Sequence, residues 1–258
     1  MKVAIAGAGG RMGRTLIEAL ENDGALTLVA ALDAPGTAPI GREIAGVKVT
    51  AGIDAAVKAC DVLIDFTRPQ GTLKHVEACV RHSRAIVIGT TGFSDGEMKK
   101  IREAGKHIAI AMSPNFAVGV NVVFAAAAQA AKALGDGYDV EIIESHHRHK
   151  VDAPSGTALK LGEIIAAALK RDVKKDAVFG RHGDTGERPV KQIAFHAIRG
   201  GDIVGEHTVL FAGVGERVEL TVRSQSRMTY ASGAMRAAKW LRGRPAGLYD
   251  MADVLGLR

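Results

Sequence analysis

The stretch VAIAGAGGRMGRTLIEALEND, residues 3–23, decides the fold of the first half of the chain. Val3 to Ala6 are apolar and typical of a buried strand, and from Arg11 onward apolar residues recur at the spacing of a helix. A glycine-rich turn, Gly7 to Gly13, joins the two segments. A strand, a glycine turn and a helix in this order predict the first part of a dinucleotide-binding βαβ unit.

The glycine turn has the composition of a phosphate-binding loop. Glycines let the backbone approach a pyrophosphate closely, and the N–H groups at the start of the helix then meet its charge. The spacing departs from the plain GxGxxG pattern, because Met12 stands at the place of the last glycine and Gly13 follows it. We expect the loop to bind the cofactor through Gly7, Ala8, Gly9, Gly10, Arg11 and Met12.

The next predicted strand, Leu26 to Leu32, ends in Asp33. An acid at this place accepts hydrogen bonds from the adenosine ribose hydroxyls, although an aspartate at a strand end could also simply cap a loop. Neither of the next two residues is basic, so no arginine directly follows the acid to pair with the 2'-phosphate of NADPH. We therefore expect NADH to be used at least as well as NADPH, with Arg11 or Arg68 as the other possible source of positive charge.

Three further predicted strands follow, at residues 62–65, 85–88 and 107–111, and each ends in small, polar or turn-forming residues. Ligands of an open parallel sheet bind at the carboxyl ends of its strands, although turns contain the same residue types for purely structural reasons. The alternation of strands and helices predicts an α/β fold, a Rossmann-type doubly wound parallel sheet, in a dinucleotide-binding domain over residues 1–115. The cofactor residues expected in its loops are Gly89, Thr90, Thr91, Ser113, Pro114, Asn115 and Phe116.

The second half begins with a long apolar run, Phe116 to Leu134, which contains Asn121, Gln129 and Lys132. These polar residues favour a buried helix over a membrane span. A strand is predicted at Tyr138 to Glu144, and a helix behind Ser155, which is a good N-cap.

From Gln192 to Ser224 the pattern changes to alternating β runs joined by Gly200-Gly201-Asp202 and Gly213-Val214-Gly215, which predicts antiparallel hairpins. We expect a second α+β domain with a mixed sheet over residues 116–228, for substrate binding and oligomerisation. Helical patterns at residues 230–242 and 248–255 indicate that residues 229–258 could pack back on the first domain.

The segment HHRHKVDAPSGTA, residues 146–158, concentrates the candidate catalytic residues. Adjacent histidines on a strand point to opposite faces, and no HExxH motif is present, so we expect no metal site. A hydrolytic role for Ser145 or Ser155 would need a nucleophile elbow that the sequence does not contain. A solvated basic loop remains the simplest alternative for the segment taken alone.

A dinucleotide domain implies hydride chemistry, and this gives the basic segment a function. Hydride addition to an unsaturated substrate requires a proton donor with a pKa near neutrality, and neighbouring histidine and lysine residues can supply one. The helix that begins at Gly156 adds a positive end that suits a carboxylate. These residues together indicate a reductase of a small carboxylate.

Several motifs then resemble one known family over essentially the whole chain. The strings GAGGRMG, DFTRP, IGTTGF, SPNF, HHRHKVDAPSGTA and SRMTYASGA are similar to those of bacterial dihydrodipicolinate reductases, also called 4-hydroxy-tetrahydrodipicolinate reductases, of lysine and diaminopimelate biosynthesis. Only the residues after Asp33 depart from the family, because relatives that use NADPH often carry a basic residue there. The alternatives are another NAD(P)H-dependent oxidoreductase of a small carboxylate and a non-enzymatic nucleotide-binding module.

The resemblance implies a role for each site residue. His146 would act as proton donor and acceptor, Lys150 as a second proton donor, and His147, Gly156 and Thr157 would contact the carboxylates of a small dicarboxylate substrate. The loops named above would hold NADH or NADPH, and the protein would form a homotetramer through the sheet of the second domain.

Composition and charge are consistent with a soluble enzyme. At 258 residues and 47% hydrophobic content, the chain can bury the core of one large or two modest domains. The formal net charge is +6, but the basic residues are spread along the chain and aromatic residues make up only 4%, so we expect no nucleic-acid partner. We expect no signal peptide and no membrane association, and we interpret Cys60 and Cys79 as reduced core thiols of a cytoplasmic protein.

Overall fold

The computed structural model describes every residue from Met1 to Arg258. Its strands are β1 Lys2–Ala6, β2 Thr27–Leu32, β3 Glu43–Ile44, β4 Val47–Thr50, β5 Val62–Asp65, β6 Ala85–Ile88, β7 Ala109–Met112, β8 Asp139–His146, β9 Ala177–Phe179, β10 Ile193–Arg199, β11 Gly205–Ala212, β12 Arg217–Ser224 and β13 Gly247–Tyr249. Its helices are α1 Arg11–Glu21, α2 Ile53–Ala59, α3 Pro69–Arg81, α4 Asp95–Ala104, α5 Val118–Leu134, α6 Gly156–Leu169, α7 Val173–Asp176, α8 Met228–Trp240 and α9 Met251–Leu255, with a 3₁₀ turn at Gly135–Gly137.

The chain forms two compact units. The first unit combines Met1–Val118 with Arg227–Arg258, and the second unit consists of Gly119–Ser226. The first unit is therefore discontinuous in sequence, because the chain leaves it after Val118 and returns to it at Arg227.

The sheet of the first unit has the strand order β13-β7-β6-β5-β1-β2-β4-β3. All its neighbouring strands pair in parallel except the short β3 and β4, which are antiparallel. The chain runs from β1 outward through β2 in one direction and through β5 in the other, so the carboxyl end of β1 lies at the topological switch point. The predicted doubly wound sheet is confirmed.

Buried residues cover both faces of this sheet. Alternate residues of β1 belong to different clusters, with Val3 and Ile5 on one side and Ala4 and Ala6 on the other. Both cysteines belong to the second of these clusters, and burial raises the pKa of the Cys60 thiol to about 11. The thiols are therefore protonated parts of the core near neutral pH.

The predicted helix at residues 248–255 is wrong in its first part. Residues Gly247–Tyr249 form β13, which pairs in parallel with β7 at the edge of the sheet, and only Met251–Leu255 are helical. Asp250 explains the boundary, because its carboxylate accepts hydrogen bonds from the N–H groups of Ala252 and Asp253 and so caps α9.

The sheet of the second unit is mixed, with the order β12-β11-β8-β10-β9. The hairpin between β11 and β12 has the predicted antiparallel pairing, with Gly205 opposite Ser224. The hairpin predicted between β10 and β11 is wrong, because β8 lies between them and pairs in parallel with β10 and antiparallel with β11. Alternating hydrophobicity identified these strands but could not identify their partners.

The burial of β8 alternates strictly along the strand. Val140, Ile142, Glu144 and His146 are buried, whereas the intervening residues are only partly buried. We call the second side, which includes Ile143, Ile198 and Leu210, the open face of this sheet.

The apolar helix α5 is buried along only one stripe, which includes Val120, Ala127 and Ala131. The prediction of a buried helix is therefore correct for one side, while Val122 is 47% exposed. By length and composition alone, Val118–Gly137 could cross a membrane, with a mean hydropathy of 1.4. Core helices of soluble proteins pass the same test, so this feature is weak evidence for a span.

Candidate active site

In the first unit, a cavity of about 680 Å³ opens at the carboxyl ends of β1, β5 and β6. It is lined by Gly7, Gly10, Arg11, Met12, Gly13, Phe66, Arg68, Gly89, Thr91, Pro114, Asn115, Phe116, Arg227 and Tyr230. The phenyl rings of Phe66 and Phe116 lie 5.5 Å apart between their centroids and form part of the wall. Its position at the switch point of the sheet is that of a nucleotide site.

Nine of the cofactor residues expected from the sequence line this cavity: Gly7, Gly10, Arg11, Met12, Gly89, Thr91, Pro114, Asn115 and Phe116. The other five, Ala8, Gly9, Asp33, Thr90 and Ser113, are not part of the lining. The Thr90 hydroxyl accepts a hydrogen bond from the Thr67 N–H at 2.9 Å, and the Ser113 hydroxyl donates to the Asn115 carbonyl at 2.8 Å. These two residues therefore support the loops that line the cavity.

The glycine turn fits a pyrophosphate. Gly7 has a φ of +74°, which favours glycine, and the chain then enters α1 through Gly10, which provides no side-chain cap. The N–H groups of the first helical turn are therefore available to an anion. Three guanidinium groups in the lining, those of Arg11, Arg68 and Arg227, add positive charge.

Asp33 lies directly after β2 and contacts the glycine turn. Its Oδ2 accepts a hydrogen bond from the Gly9 N–H at 2.9 Å, and its Oδ1 accepts one from the Ala34 N–H at 2.8 Å. Because each carboxylate oxygen has two lone pairs, both oxygens can still accept a hydrogen bond from a ribose hydroxyl.

In the second unit, the candidate catalytic histidine is the last residue of β8. His146 lies two residues after Glu144 on the same side of the strand, and its Nδ1 is 2.5 Å from the Glu144 carboxylate. The Glu144 side chain is completely buried and also accepts a bidentate contact from Arg199 at 2.7 and 2.8 Å. A buried carboxylate therefore orients the imidazole ring.

The charges in this cluster shift the pKa values of its members. Burial raises the pKa of the Glu144 carboxyl, but hydrogen bonds from Arg199 and His146 outweigh burial and hold that pKa below its ordinary value. Burial also lowers the pKa of His146, an effect that the Glu144 carboxylate opposes. Glu144 is therefore ionised near neutral pH, and the pKa of His146 lies below its ordinary value.

A second histidine, His207 on β11, lies beside the first. The two imidazole rings are 5.1 Å apart between centroids in an edge-on arrangement, and His207 Nε2 shares a 2.8 Å hydrogen bond with the Ser155 hydroxyl. Burial lowers the pKa of His207 to about 4, so this ring is neutral at physiological pH.

Lys150 and His147 lie in the loop that follows β8. The Lys150 ammonium donates to both oxygens of the Asp152 carboxylate at 2.8 Å. The Nδ1 atom of His147 is buried without a hydrogen-bond partner, an arrangement that costs free energy unless a ligand supplies the missing contact.

The loop ends at α6, whose first residues are Gly156 and Thr157. Ser155 is the N-cap, and its hydroxyl accepts a hydrogen bond from the Ala158 N–H at 3.2 Å. The positive end of this helix thus lies in the segment that also carries His147 and Lys150, which suits a bound carboxylate.

The structure adds residues that the sequence analysis did not assign. Arg227 and Tyr230 belong to the motif SRMTY, which was part of the resemblance but had no role, and both line the first cavity. Glu144, Arg199 and His207 surround His146. The spacing of Glu144 and His146 on one strand was a usable signal, because residues two apart lie on the same side.

Comparison with known proteins assigns both parts of the chain to a single family. The sequence model described as "Dihydrodipicolinate reductase, N-terminus" matches residues 1–116, and the one described as "Dihydrodipicolinate reductase, C-terminus" matches residues 119–255. This chain belongs to the dihydrodipicolinate reductase family. The predicted resemblance is thereby confirmed.

Individual relatives agree with this family over the full length of the chain. Proteins named 4-hydroxy-tetrahydrodipicolinate reductase from Burkholderia multivorans and Aromatoleum aromaticum are 56% and 55% identical, and the alignments cover 100% of this chain and 100% and 96% of theirs. A solved dipicolinate-bound dihydrodipicolinate reductase from Paenisporosarcina sp. TG-14 is 27% identical, with a TM-score of 0.80 and 98% coverage of both chains.

Proposed function

We propose that this protein reduces 4-hydroxy-tetrahydrodipicolinate, or dihydrodipicolinate, to tetrahydrodipicolinate with NADH or NADPH, in lysine and diaminopimelate biosynthesis. The observation that carries the proposal is the full-length similarity, at 55–56% identity, to relatives that bear the name of this reductase. The geometry around His146 supports the proposal, because an imidazole held by a buried carboxylate lies in the same segment as a helix start that suits carboxylates.

The protein's own residues would manage the proton and the anion. A dihydronicotinamide held in the first unit would supply a hydride to C4 of the cyclic unsaturated ring. A hydroxyl on C4 of the substrate would first leave as water, and the ring would take up one proton after the hydride. The two candidate proton donors are His146, whose ring Glu144 orients, and Lys150, whose ammonium donates hydrogen bonds to the Asp152 carboxylate. A positioned side chain that can pass a proton to the reacting ring is what such a step requires.

Substrate carboxylates would bind at the start of α6. Gly156 and Thr157 present the first-turn backbone of this helix, and the unpartnered Nδ1 of His147 offers one further polar contact. A planar dicarboxylate fits this set because helix dipole, imidazole and ammonium all favour negative charge.

The dinucleotide would bind in the cavity of the first unit, with Gly7 to Met12 on the pyrophosphate and Asp33 on the ribose. No basic residue follows Asp33 directly, so we infer that NADH serves at least as well as NADPH. Arg11 and Arg68 line the cavity, together with Arg227, and are the candidate cations that the sequence offered for a 2'-phosphate.

We also propose that the protein is a cytoplasmic homotetramer that assembles through the open face of the second sheet. Ile198 on this face is 50% exposed, and apolar residues on one side of a sheet favour association.

Two measurements test the proposed function. NADH and NADPH are titrated separately with and without pyridine-2,6-dicarboxylate. We expect the dicarboxylate to tighten dinucleotide binding, and the dinucleotide to tighten binding of the dicarboxylate by the same factor. His146→Gln and Lys150→Ala should each bind NADH normally and lose turnover of the cyclic substrate by roughly 100- to 10,000-fold. Near-full turnover in both variants would show that these residues do not carry the proton.

A further inference from the structure

The carboxylate of Glu144 is the centre of a buried network that joins three separate segments. It lies within hydrogen-bond distance of the His146 ring at 2.5 Å and of the Ser155 N–H at 3.1 Å, and it receives both terminal nitrogens of Arg199. Its side chain has no exposed surface. A buried carboxylate satisfied on every side is rigid, because moving it would leave charged partners unpaired.

We propose that Glu144 and Arg199 are positioning residues for the proposed reaction: Glu144 fixes the tautomer and orientation of His146, and Arg199 keeps Glu144 charged and in place. This inference rests on the proposed function, because it assigns the environment of the proposed proton donor. Neither residue needs to touch the substrate to act in this way.

The tautomer follows from the chemistry of the contact. An ionised carboxylate can only accept hydrogen bonds, so the proton of a neutral His146 ring must be on Nδ1, which faces Glu144. The other nitrogen, Nε2, is then left unprotonated in the neutral ring and is the atom that gains and releases the catalytic proton.

Arg199 also connects the two candidate proton donors. Its Nη2 donates to the Asp152 carbonyl oxygen at 2.6 Å as well as to Glu144, and Asp152 is the residue whose carboxylate holds Lys150. The next residue, Gly200, donates its N–H to the His146 carbonyl oxygen at 2.9 Å. One guanidinium group thus holds both the strand end that carries His146 and the loop that carries Lys150.

The charges that face His146 set the direction of the expected effect. Glu144 is negative, Lys150 and Arg199 are positive, and His207 is neutral, while burial disfavours the charged ring. Glu144 is therefore the group that raises the pKa of the His146 ring against these opposing effects. Its removal should lower the pKa of His146, since an adjacent opposite charge shifts a pKa by roughly 1 to 3 units.

The first test uses the unmodified protein and so does not depend on the folding of a variant. The ring ¹⁵N chemical shifts of His146, measured by NMR in the full-length protein above its pKa, should show a protonated Nδ1 and an unprotonated Nε2. The opposite tautomer would overturn the proposal.

The second test removes the charge with Glu144→Gln, which keeps the size of the side chain. We expect the pKa of His146 to fall by about one unit or more, and kcat for the cyclic substrate to fall roughly 10- to 100-fold with its pH profile displaced to lower pH. Glu144→Asp, which keeps the charge, should restore part of both effects. A merely structural role would lower kcat without moving the pKa or the profile.

Glu141→Gln is the matched control. Glu141 lies on the same strand and is also held by arginine and histidine side chains, namely Arg181, Arg188 and His196, but it faces the other side of the sheet. Its substitution should leave the pKa of His146 unchanged. An unchanged pKa in folded Glu144→Gln overturns this inference, whereas a wild-type protein that fails to reduce the cyclic substrate overturns the proposed function alone.

Discussion

His207 shows how strongly this fold controls the charge of a single residue. It is buried on β11, its ring lies beside His146, and burial lowers its pKa to about 4. A neutral ring at this position can pack against His146, which is proposed to gain a proton, whereas a second imidazolium would oppose the protonation of His146.

This burial predicts a specific loss of stability in mild acid. Below the ordinary histidine pKa of about 6.5, the unfolded chain binds a proton at His207 that the folded protein does not bind until about pH 4. The contribution of His207 to the free energy of unfolding is therefore fully present above about pH 6.5. It is lost as the pH drops toward 4, a change of about 3 kcal/mol.

The measurement is urea unfolding at pH 7.5 and pH 4.5 of the wild-type protein and of His207→Asn. The variant should lose clearly less free energy of unfolding between the two pH values, although packing makes it less stable at both. His182→Asn, at an exposed position, should retain the wild-type dependence. Equal pH dependence in wild type and His207→Asn would contradict the assignment.

The sequence predicted some residues of this cluster and could not predict others. His146 and Lys150 lie in one short motif, so their proximity follows from the chain itself. Arg199 is 55 residues away from Glu144, and only the parallel pairing of β10 with β8, which sets Arg199 opposite His146, brings it to the carboxylate. Strand partners of this kind depend on the tertiary fold and are not encoded in local periodicity.

At the scale of elements, the start of α1 is fixed by a contact between two glycines. A Cβ atom added to Gly13 would lie 2.0 Å from the carbonyl oxygen of Gly7, so the helix and the glycine turn can approach only because Gly13 has no side chain. The last glycine of the motif therefore serves packing, which explains why it can stand one position later than the plain pattern.

Gly13→Ala should consequently move the helix away from the turn. We expect the free energy of unfolding to fall by about 1–3 kcal/mol and NADH to bind more weakly, because overpacking displaces the first-turn N–H groups. Gly96→Ala in α4 is the control, since a Cβ there meets nothing within 4 Å, and it should be neutral or slightly stabilising. Differential scanning calorimetry and NADH titration of both variants distinguish these outcomes.

The elements also show which sequence signals were reliable. The boundaries of β5 and β6 agree with the strands predicted at residues 62–65 and 85–88, because each is a short apolar run bounded by turn residues. The strand β13 was missed because three residues before a helix carry no periodicity of their own. Its pairing with β7 depends on the return of the chain to the first unit.

At the scale of the whole molecule, the open face of the second sheet gives the proposed assembly a direct test. Ile198→Glu places a charge on that face and should convert the tetramer into smaller species, because burial of an unpaired charge at an interface is costly. Val214→Glu makes the same change in the β11–β12 turn, where Val214 is fully exposed, and should leave the assembly intact. Sedimentation velocity reports both, and an unchanged tetramer in Ile198→Glu would exclude this face as the interface.

The discontinuous first unit has a consequence for the order in which the protein is made. During synthesis, all of the second unit has been translated once Ser226 is added, whereas the first unit still lacks α8, β13 and α9. Arg227 and Tyr230, which line the cavity proposed to bind the dinucleotide, are added after that point. The lining of the proposed dinucleotide cavity is therefore completed only after the whole second unit has been translated, although its glycine turn is translated before that unit.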